Sequence, residues 1–510
     1  MTITPPQFDG DEVVIAAKTT VDKDLKRITQ LEKASTRVGL GNLNMGFALL
    51  FVLGVWVFTF FRSGSADGYS IIAVASIIGA YMAMNIGAND VANNVGPAVG
   101  SKALTMFGAL VIAAVFEASG ALIAGGEVVN TISKSIVSPD SFADQTVFIW
   151  AMLSALLAAA VWVNLATLVG APVSTTHSIV GGVIGAGIAA AGMSAVDWGV
   201  MAAIAASWVI SPVLGGVIAA AFLAFVKFAV LYKQDKVAAA TRWIPILLGI
   251  MAAAFSVYLV MKGLKRIWRP EAEMLFVIGA SGFVLTYYST RTSIRRTAAT
   301  IENTRKSVAS LFRAPLIAAA ALLSFAHGSN DVANAVGPLA AIVNAVDGGG
   351  VASEVTLPLW VLAIGAIGIA IGLLLFGPKI IKIVGEKITK LDPVRAFCVA
   401  LSASITVIVA SGLGLPVSST HVAVGAVFGV GFLREFLTNR RISLNVTVRT
   451  PSPEDPEVAA GKLLSRWTKA RKRKLVRRRH LTAIIAAWLI TVPASAAIAG
   501  IILLAIQAFA

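Results

Sequence analysis

An eleven-residue pattern occurs twice in this 510-residue chain, as Gly87-Ala88-Asn89-Asp90-Val91-Ala92-Asn93-Asn94-Val95-Gly96-Pro97 and as Gly328-Ser329-Asn330-Asp331-Val332-Ala333-Asn334-Ala335-Val336-Gly337-Pro338, with nine of eleven positions identical. Asp90 and Asn93, like Asp331 and Asn334, stand three residues apart and share one face of a helical turn. That face offers carboxylate and amide oxygens to a hard cation, and amide N–H groups to an oxyanion. Asn89 and Asn330, each just before an aspartate, add further oxygen ligands for a cation. For a single copy the plain alternative is that Asn and Asp cap helix ends. Two copies weaken that alternative. The glycines before and the Gly-Pro after each copy predict breaks in helical geometry.

A second pattern also repeats: Gly170-Ala171-Pro172-Val173-Ser174-Thr175-Thr176-His177 and Gly414-Leu415-Pro416-Val417-Ser418-Ser419-Thr420-His421. A turn followed by three hydroxyls reads as the start of a helix, where unpaired backbone N–H groups and the positive dipole end favour an anion. Ser174, Thr175 and Thr176, with Ser418, Ser419 and Thr420, add hydroxyl donors. A plain Ser/Thr cap is the alternative for either copy alone. His177 and His421 read as structural partners ahead of proton carriers.

Neither pattern contains Lys or Arg. Asp90 and Asp331 would bring negative charge toward any bound anion, so a cation or proton must accompany it. The composition of the two motifs therefore predicts symport. Glu117, a third acidic residue inside an apolar segment, is a candidate for coupling, or else a packing hydrogen bond between helices.

The elements that hold these motifs are membrane spans. The chain is 57% hydrophobic and only 13% charged, with continuous apolar runs near the ~20 residues a helix needs to cross a bilayer. Apolar segments are expected at 45–61, 69–86, 103–126, 146–169, 172–191, 199–231, 243–263 and 274–288, then at 314–327, 332–346, 357–377, 394–414, 416–433 and 481–509. A polar N-terminal extension, 1–44, has no short basic-then-apolar leader. One cysteine, Cys398, excludes an intrachain disulfide. The net charge of +16 does not point to nucleic acid, because residues 434–480 alone hold fourteen Lys or Arg against four Asp or Glu. A basic loop between spans is first a cytoplasmic retention signal.

Asn89 and Asn330 lie 241 positions apart, and Pro172 and Pro416 lie 244 apart. Same order and nearly equal offset mean an internal duplication. The flanks of the first Ser-Thr-Thr element carry Glu127, Asp140, Asp144 and Asp197 against Lys134, whereas those of the second are basic. The positive-inside rule puts the first pair outside and the second inside. The halves are then oppositely oriented, as in secondary transporters built from inverted repeats. Each hydroxyl element enters and leaves by one face, as a re-entrant hairpin. One loop disagrees with this tracing: Lys262, Lys265, Arg266 and Arg269 fall outside. The expected fold class is an all-α polytopic membrane protein with inverted-topology repeats, broken helices and two re-entrant hairpins. Its segments are an extension (1–44), an extra span (45–62), a first repeat (69–231), connecting spans with a basic linker (232–313), a second repeat core (314–433), a basic loop (434–480) and a last span (481–510).

With these residues the chain resembles the inorganic phosphate transporter (PiT) family, whose duplicated signature the four motif copies match over 69–231 and 314–433. The resemblance implies uptake of inorganic phosphate with Na⁺ or H⁺ by alternating access around a midplane site. Carried over, Asp90, Asn93, Ser174 to Thr176, Asp331, Asn334 and Ser418 to Thr420 would line the phosphate and cation sites. The residue types themselves nominate Asn89, Asp90, Asn330, Asp331 and Glu117 for the coupling ion. Sulfate transport on the same scaffold is the alternative. No cofactor or resident metal is expected beyond a transported Na⁺ or H⁺, and no enzymatic activity: the only Gly-Lys pair, Gly461-Lys462, is followed by Leu463 and makes no phosphate-binding loop. The expected partners are phosphate, the coupling cation and the bilayer. The expected place is the inner or plasma membrane, multi-pass, with the N-terminus cytoplasmic. The oligomeric state is open, a homodimer included.

Overall fold

The computed structural model describes residues 43–62, 69–168, 173–263, 268, 270–347, 357–387, 391–448 and 478–509. The expected turn at 170–172, nearly all of the N-terminal extension, and residues 449–477 of the basic loop lie outside the described residues. Contacts divide the chain into Met1–Leu50 and Phe51–Ala510. Of the first unit, residues 43–50 are described, as the opening turns of helix α1 (Leu43–Arg62).

Among its described residues the second unit is almost entirely helical. After α1 come α2 (Tyr69–Gly100), α3 (Met106–Ala124), the short α4 (Gly126–Asn130), α5 (Gln145–Leu168), α6 (Thr175–Ala191) and α7 (Trp198–Val226). Two connecting helices follow, α8 (Lys236–Gly263) and α9 (Ala272–Ala298), then α10 (Arg305–Leu311). The second half runs through α11 (Arg313–Val346), α12 (Leu359–Lys387), α13 (Pro393–Gly412), α14 (Ser419–Val448) and α15 (Arg478–Phe509). Among the described residues, eleven helices are long and apolar enough to cross a membrane, or twelve if α10 and α11, bent by 43°, form one span. The protein is a multi-pass α-helical membrane protein with inverted repeats.

Packing exposes the duplication. Helix α2 packs on α12 while its counterpart α11 packs on α3, and α6 packs on α15 while α14 packs on α7. Each helix thus lies against the other repeat, in mirrored pairs. The last helix, α15, takes the place in the second repeat that α7 takes in the first. The second repeat therefore continues past the expected boundary at 433, and the basic loop interrupts it.

The motif glycines do not break helices. Helices α2 and α11 run unbroken through both eleven-residue patterns, with Pro97 and Pro338 inside them. The segments expected at 314–327 and 332–346 are one helix. The glycines serve close packing instead: a Cβ at Gly87 would collide with the carbonyl of Ile369, and one at Gly328 with that of Glu117. Small residues let membrane helices approach backbone to backbone, and prolines inside spans are tolerated when neighbouring helices surround them. Among the described residues, breaks lie at Val173–Ser174 before α6, at Leu413–Ser418 between α13 and α14, and at Phe312 between α10 and α11.

The first hairpin, α5–α6, has both ends on one face. Asp197 N–H bonds Ile136 O at 3.0 Å and Ser138 N–H bonds Ala195 O at 3.2 Å, so the chain before α5 lies beside the chain after α6. The second hairpin, α13–α14, turns at Leu413–Ser418, with Gly414 at a φ of 70° that favours glycine. Irregular backbone at this depth needs partners. The carbonyls of Gly412, Gly414, Leu415, Pro416 and Val417 accept from Lys262 Nζ (3.2 Å), Thr131 Oγ1 (2.7 Å), Asn330 Nδ2 (3.2 Å), Trp208 Nε1 (3.0 Å) and Thr176 Oγ1 (3.1 Å) respectively. Five separate elements thus hold this tip.

Candidate functional site

The two hairpin tips and the two eleven-residue patterns meet at one place. Thr175 Oγ1 donates to Asp90 Oδ2 at 3.1 Å, and in the mirrored position Ser419 Oγ donates to Asp331 Oδ2 at 3.1 Å. Those bonds join each tip to its own repeat. A second mirrored pair crosses between repeats. Asn93 Nδ2 donates to Thr420 Oγ1 at 2.8 Å, and Asn334 Nδ2 donates to Thr176 Oγ1 at 3.2 Å. Thr420 Oγ1 also donates to Asp90 Oδ1 at 2.9 Å. Asn89 and Asn330 anchor the arrangement by donating to tip carbonyls, Val173 O at 3.3 Å and Leu415 O at 3.2 Å.

Ser174 and Ser418 sit one residue before these groups and cap α6 and α14. Their hydroxyls accept from His177 N–H at 3.2 Å and His421 N–H at 3.4 Å. The serine caps satisfy the third N–H of each helix. The first two, of Thr175 and Thr176 and of Ser419 and Thr420, have no acceptor within their own helix. Behind the tips, the rings of His177 and His421 meet edge to face at 4.9 Å, and the Trp208 ring lies tilted against His177 with centroids 3.8 Å apart. Both histidines are buried and join the two hairpins.

The site is deeply buried: Asp90 and Asp331 are each 1% exposed. Asp90, His327 and Asp331 each place one potential ligand atom within 4.8 Å of the other two. Two ionised carboxylates at that separation repel by on the order of 3 kcal/mol at an effective dielectric near 20. Among the described residues no Lys or Arg pairs with either; only His327 does, its Nε2 standing 3.0 Å from Asp331 Oδ2 and 3.7 Å from Asp90 Oδ2. Three buried oxygens of α11, Asn330 Oδ1, Asp331 Oδ1 and Asn334 Oδ1, have no hydrogen-bond donor among the described residues. Pro97 and Pro338 add to this set. Lacking N–H groups, they leave the carbonyls of Asn93 and Asn334 without their helical i+4 donors. The donor set is oxygen-rich and net negative beside a ring of hydroxyl and N–H donors. Chemically it can hold a hard cation and an oxyanion together.

One part of the site is not mirrored. Glu117, fully buried on α3, accepts from Asn94 Nδ2 at 2.8 Å through Oε1, and its Oε2 lies 3.0 Å from His327 Nδ1. The chain Asn94–Glu117–His327–Asp331 exists on one side of the pseudo-two-fold axis. By the motif offset, the counterparts of His327 and Asn94 are Ile86 and Ala335. By the helix contacts at Gly87 and Gly328, the counterpart of Glu117 is Ile369.

The structure brings together every residue that the sequence nominated: Asn89, Asp90, Asn93, Asn330, Asp331, Asn334, both hydroxyl triplets and, through His327, Glu117. His327 and Asn94 were missed. Both break the internal repeat, so a search for duplicated residues passes over them. The available signal was His327 standing four residues before Asp331, one helical turn away on the same face.

The sequence profile described as Phosphate transporter family matches residues 86–499. A Helicobacter pylori (strain J99) protein named "Putative phosphate permease" is 47% identical over 95% of this chain and 98% of its own. A Pyrococcus abyssi protein bearing the same description is 38% identical over 70% of this chain and 88% of its own. A solved structure described as "The sodium-dependent phosphate transporter" is similar with a TM-score of 0.76 and 35% identity, covering 86% of this chain and 100% of that one.

Proposed function

This chain belongs to the phosphate transporter family, and from that premise we propose that it imports inorganic phosphate by Na⁺ symport, alternating access around the site where the four motifs meet. The observation that carries the reading is the mirrored set of bonds Asp90–Thr175, Asp331–Ser419, Asn93–Thr420 and Asn334–Thr176. Helix N-termini and hydroxyls from both hairpins face one volume, which suits a tetrahedral oxyanion.

The same bonds suggest how cation and anion are linked. Each hydroxyl has a single proton. In this structure Thr175, Ser419 and Thr420 spend theirs on Asp90 and Asp331. A cation bound to those carboxylates competes for the same oxygens and frees the hydroxyls to turn toward phosphate. Phosphate in turn offsets the charge of the cation. Each ligand then raises the affinity of the other, as coupling requires. The donor-less oxygens of Asn330, Asp331 and Asn334 are the further cation ligands, and Glu117 with His327 sets the local charge. Sodium is favoured over a proton by this oxygen-rich set and by the similarity to a sodium-dependent transporter.

By the positive-inside rule, the acidic flanks of the first hairpin and the basic ones of the second support an N-terminus in the cytoplasm, and our reading puts the protein in the inner or plasma membrane. Rocking of one repeat against the other exposes the site to each side in turn. Uptake of labelled phosphate into proteoliposomes containing the purified full chain, competed with unlabelled phosphate or sulfate, tests the substrate. Competition by phosphate and not by sulfate is expected. Uptake of sulfate in preference to phosphate would overturn the assignment.

A further inference from the structure

Lys262 belongs to neither repeat. It ends α8, the first of the two connecting helices, and it is one of the basic residues that charge counting places on the wrong side of the membrane. Its Nζ lies 3.1 Å from Glu127 Oε1 of the first repeat and 3.2 Å from Gly412 O at the tip of the second hairpin. The side chains of Lys262 and Glu127 are 20% and 35% exposed, so the pair sits at a margin, neither immersed in the core nor free in solvent. Beside it Thr131 Oγ1 donates to Gly414 O at 2.7 Å. The segment carrying Glu127 and Thr131 leads straight to Ile136, which bonds Asp197 at the base of the first hairpin. The tip of the second hairpin is therefore tied to the face by which the first hairpin enters.

We propose that Lys262 is a gate-positioning residue: with Glu127 and Thr131 it latches the tip of the second hairpin over the phosphate site and closes that site toward the Glu127 face. Directly beneath the latched tip, Leu415 O and Ser411 Oγ accept from Asn330, and Val417 O accepts from Thr176. Lifting the tip breaks these contacts and uncovers Asn330 and Asp331. The latch consists of one charge-assisted contact and one neutral hydrogen bond to backbone carbonyls, strong enough to bias a two-state equilibrium and weak enough to open. It explains why a cation lies where the charge rule excludes one: its partner is a carboxylate of the same face. The inference rests on the alternating-access reading above, but not on which anion is carried.

The test uses the full chain with Cys398→Ala, so that Val417→Cys, at a fully buried position behind the tip, is the single thiol. Its rate of modification by a membrane-impermeant cationic thiol reagent, added on the Glu127 face of proteoliposomes, reports opening. Lys262→Gln should speed modification about tenfold, the effect expected from losing one charge-assisted hydrogen bond. Lys262→Glu, whose carboxylate cannot donate to Gly412 O, should do so at least as strongly, whereas Lys262→Arg, which keeps a charged donor for Gly412 O and Glu127, should retain the slow rate. If Lys262→Gln fails to insert, Thr131→Val probes the same latch and should speed modification severalfold. A rate in Lys262→Gln and Thr131→Val equal to the parent's, or a rate in Lys262→Arg as fast as in Lys262→Gln, would overturn the proposal. The readout needs no transport, so failure of phosphate uptake with a responsive thiol would count against the substrate and not the latch.

Discussion

His327 Nδ1 lies 3.0 Å from Glu117 Oε2, both side chains fully buried, and the mirrored positions are occupied by the buried Ile86 and Ile369. Apolar residues fill the mirrored place, so packing alone does not require the polar pair on this side. Replacing a buried ion pair by well-packed apolar residues is often neutral or stabilising, whereas removing one partner costs about 3–5 kcal/mol. Copying the mirrored side, with Asn94→Ala, Glu117→Ile and His327→Ile together, should still permit insertion but abolish Na⁺-driven uptake, and it should lower the melting temperature because Asp90 and Asp331 lose His327, their one basic partner among the described residues. The single change Glu117→Gln should lower Na⁺-driven uptake by about tenfold or more, from the loss of an ionisable acceptor facing Asn94 and His327. Wild-type uptake in the triple variant would remove this chain from the mechanism.

Asp90→Asn and Asp331→Asn each keep the shape of the side chain and its hydrogen-bonding oxygen but delete the charge that faces the cation. Either substitution should abolish coupled uptake with no loss of inserted protein, measured by labelled phosphate and by monodisperse elution of the purified variant. Uptake at the parental rate in either variant would refute the role assigned to that aspartate.

Thr175 and Ser419 hold mirrored bonds of equal length, 3.1 Å, so their loss should be felt equally. Thr175→Val and Ser419→Ala are expected to raise the phosphate KM about tenfold each, from one hydrogen bond lost to a charged ligand. Concentration-dependent uptake separates this from a fall in kcat. A large effect in one variant and none in the other would contradict a shared oxyanion site.

Much of this site was legible because it is duplicated. Asp90, Asn93 and the hydroxyl triplets announced themselves through their second copies, and the pairing of hairpins followed from flanking charge. What stayed hidden is what the repeat does not copy. His327 stands outside the eleven-residue pattern, and Asn94 occupies one of the two positions where its copies differ. The motif glycines misled for a different reason. Glycine marks a turn or a close approach with equal force, and sequence alone does not reveal the Ile369 and Glu117 carbonyls that require Gly87 and Gly328.

That distinction gives a stability prediction within a single motif. Gly328→Ala would drive a methyl group into the backbone of Glu117, and Gly87→Ala into that of Ile369, whereas a Cβ at Gly96 meets nothing within 4 Å. Forcing apart closely packed helices should cost about 1–3 kcal/mol or more, seen as a lowered melting temperature of the purified protein. Gly96→Ala should be neutral, or stabilising by up to about 1 kcal/mol from helix propensity. Equal melting of all three would show that the close approach is not what these glycines provide.

The central claim is that the mirrored carboxylates bind a cation whose entry releases hydroxyls to phosphate. The direct measurement is initial phosphate uptake by proteoliposomes given an inward Na⁺ gradient, an inward proton gradient with Na⁺ replaced by K⁺, or neither, for the parent and for Asp331→Asn. Uptake that requires Na⁺, with a phosphate KM that falls as Na⁺ rises, and that vanishes in Asp331→Asn, is the predicted result. Uptake driven equally well with K⁺ in place of Na⁺, or a phosphate KM indifferent to Na⁺, would contradict it.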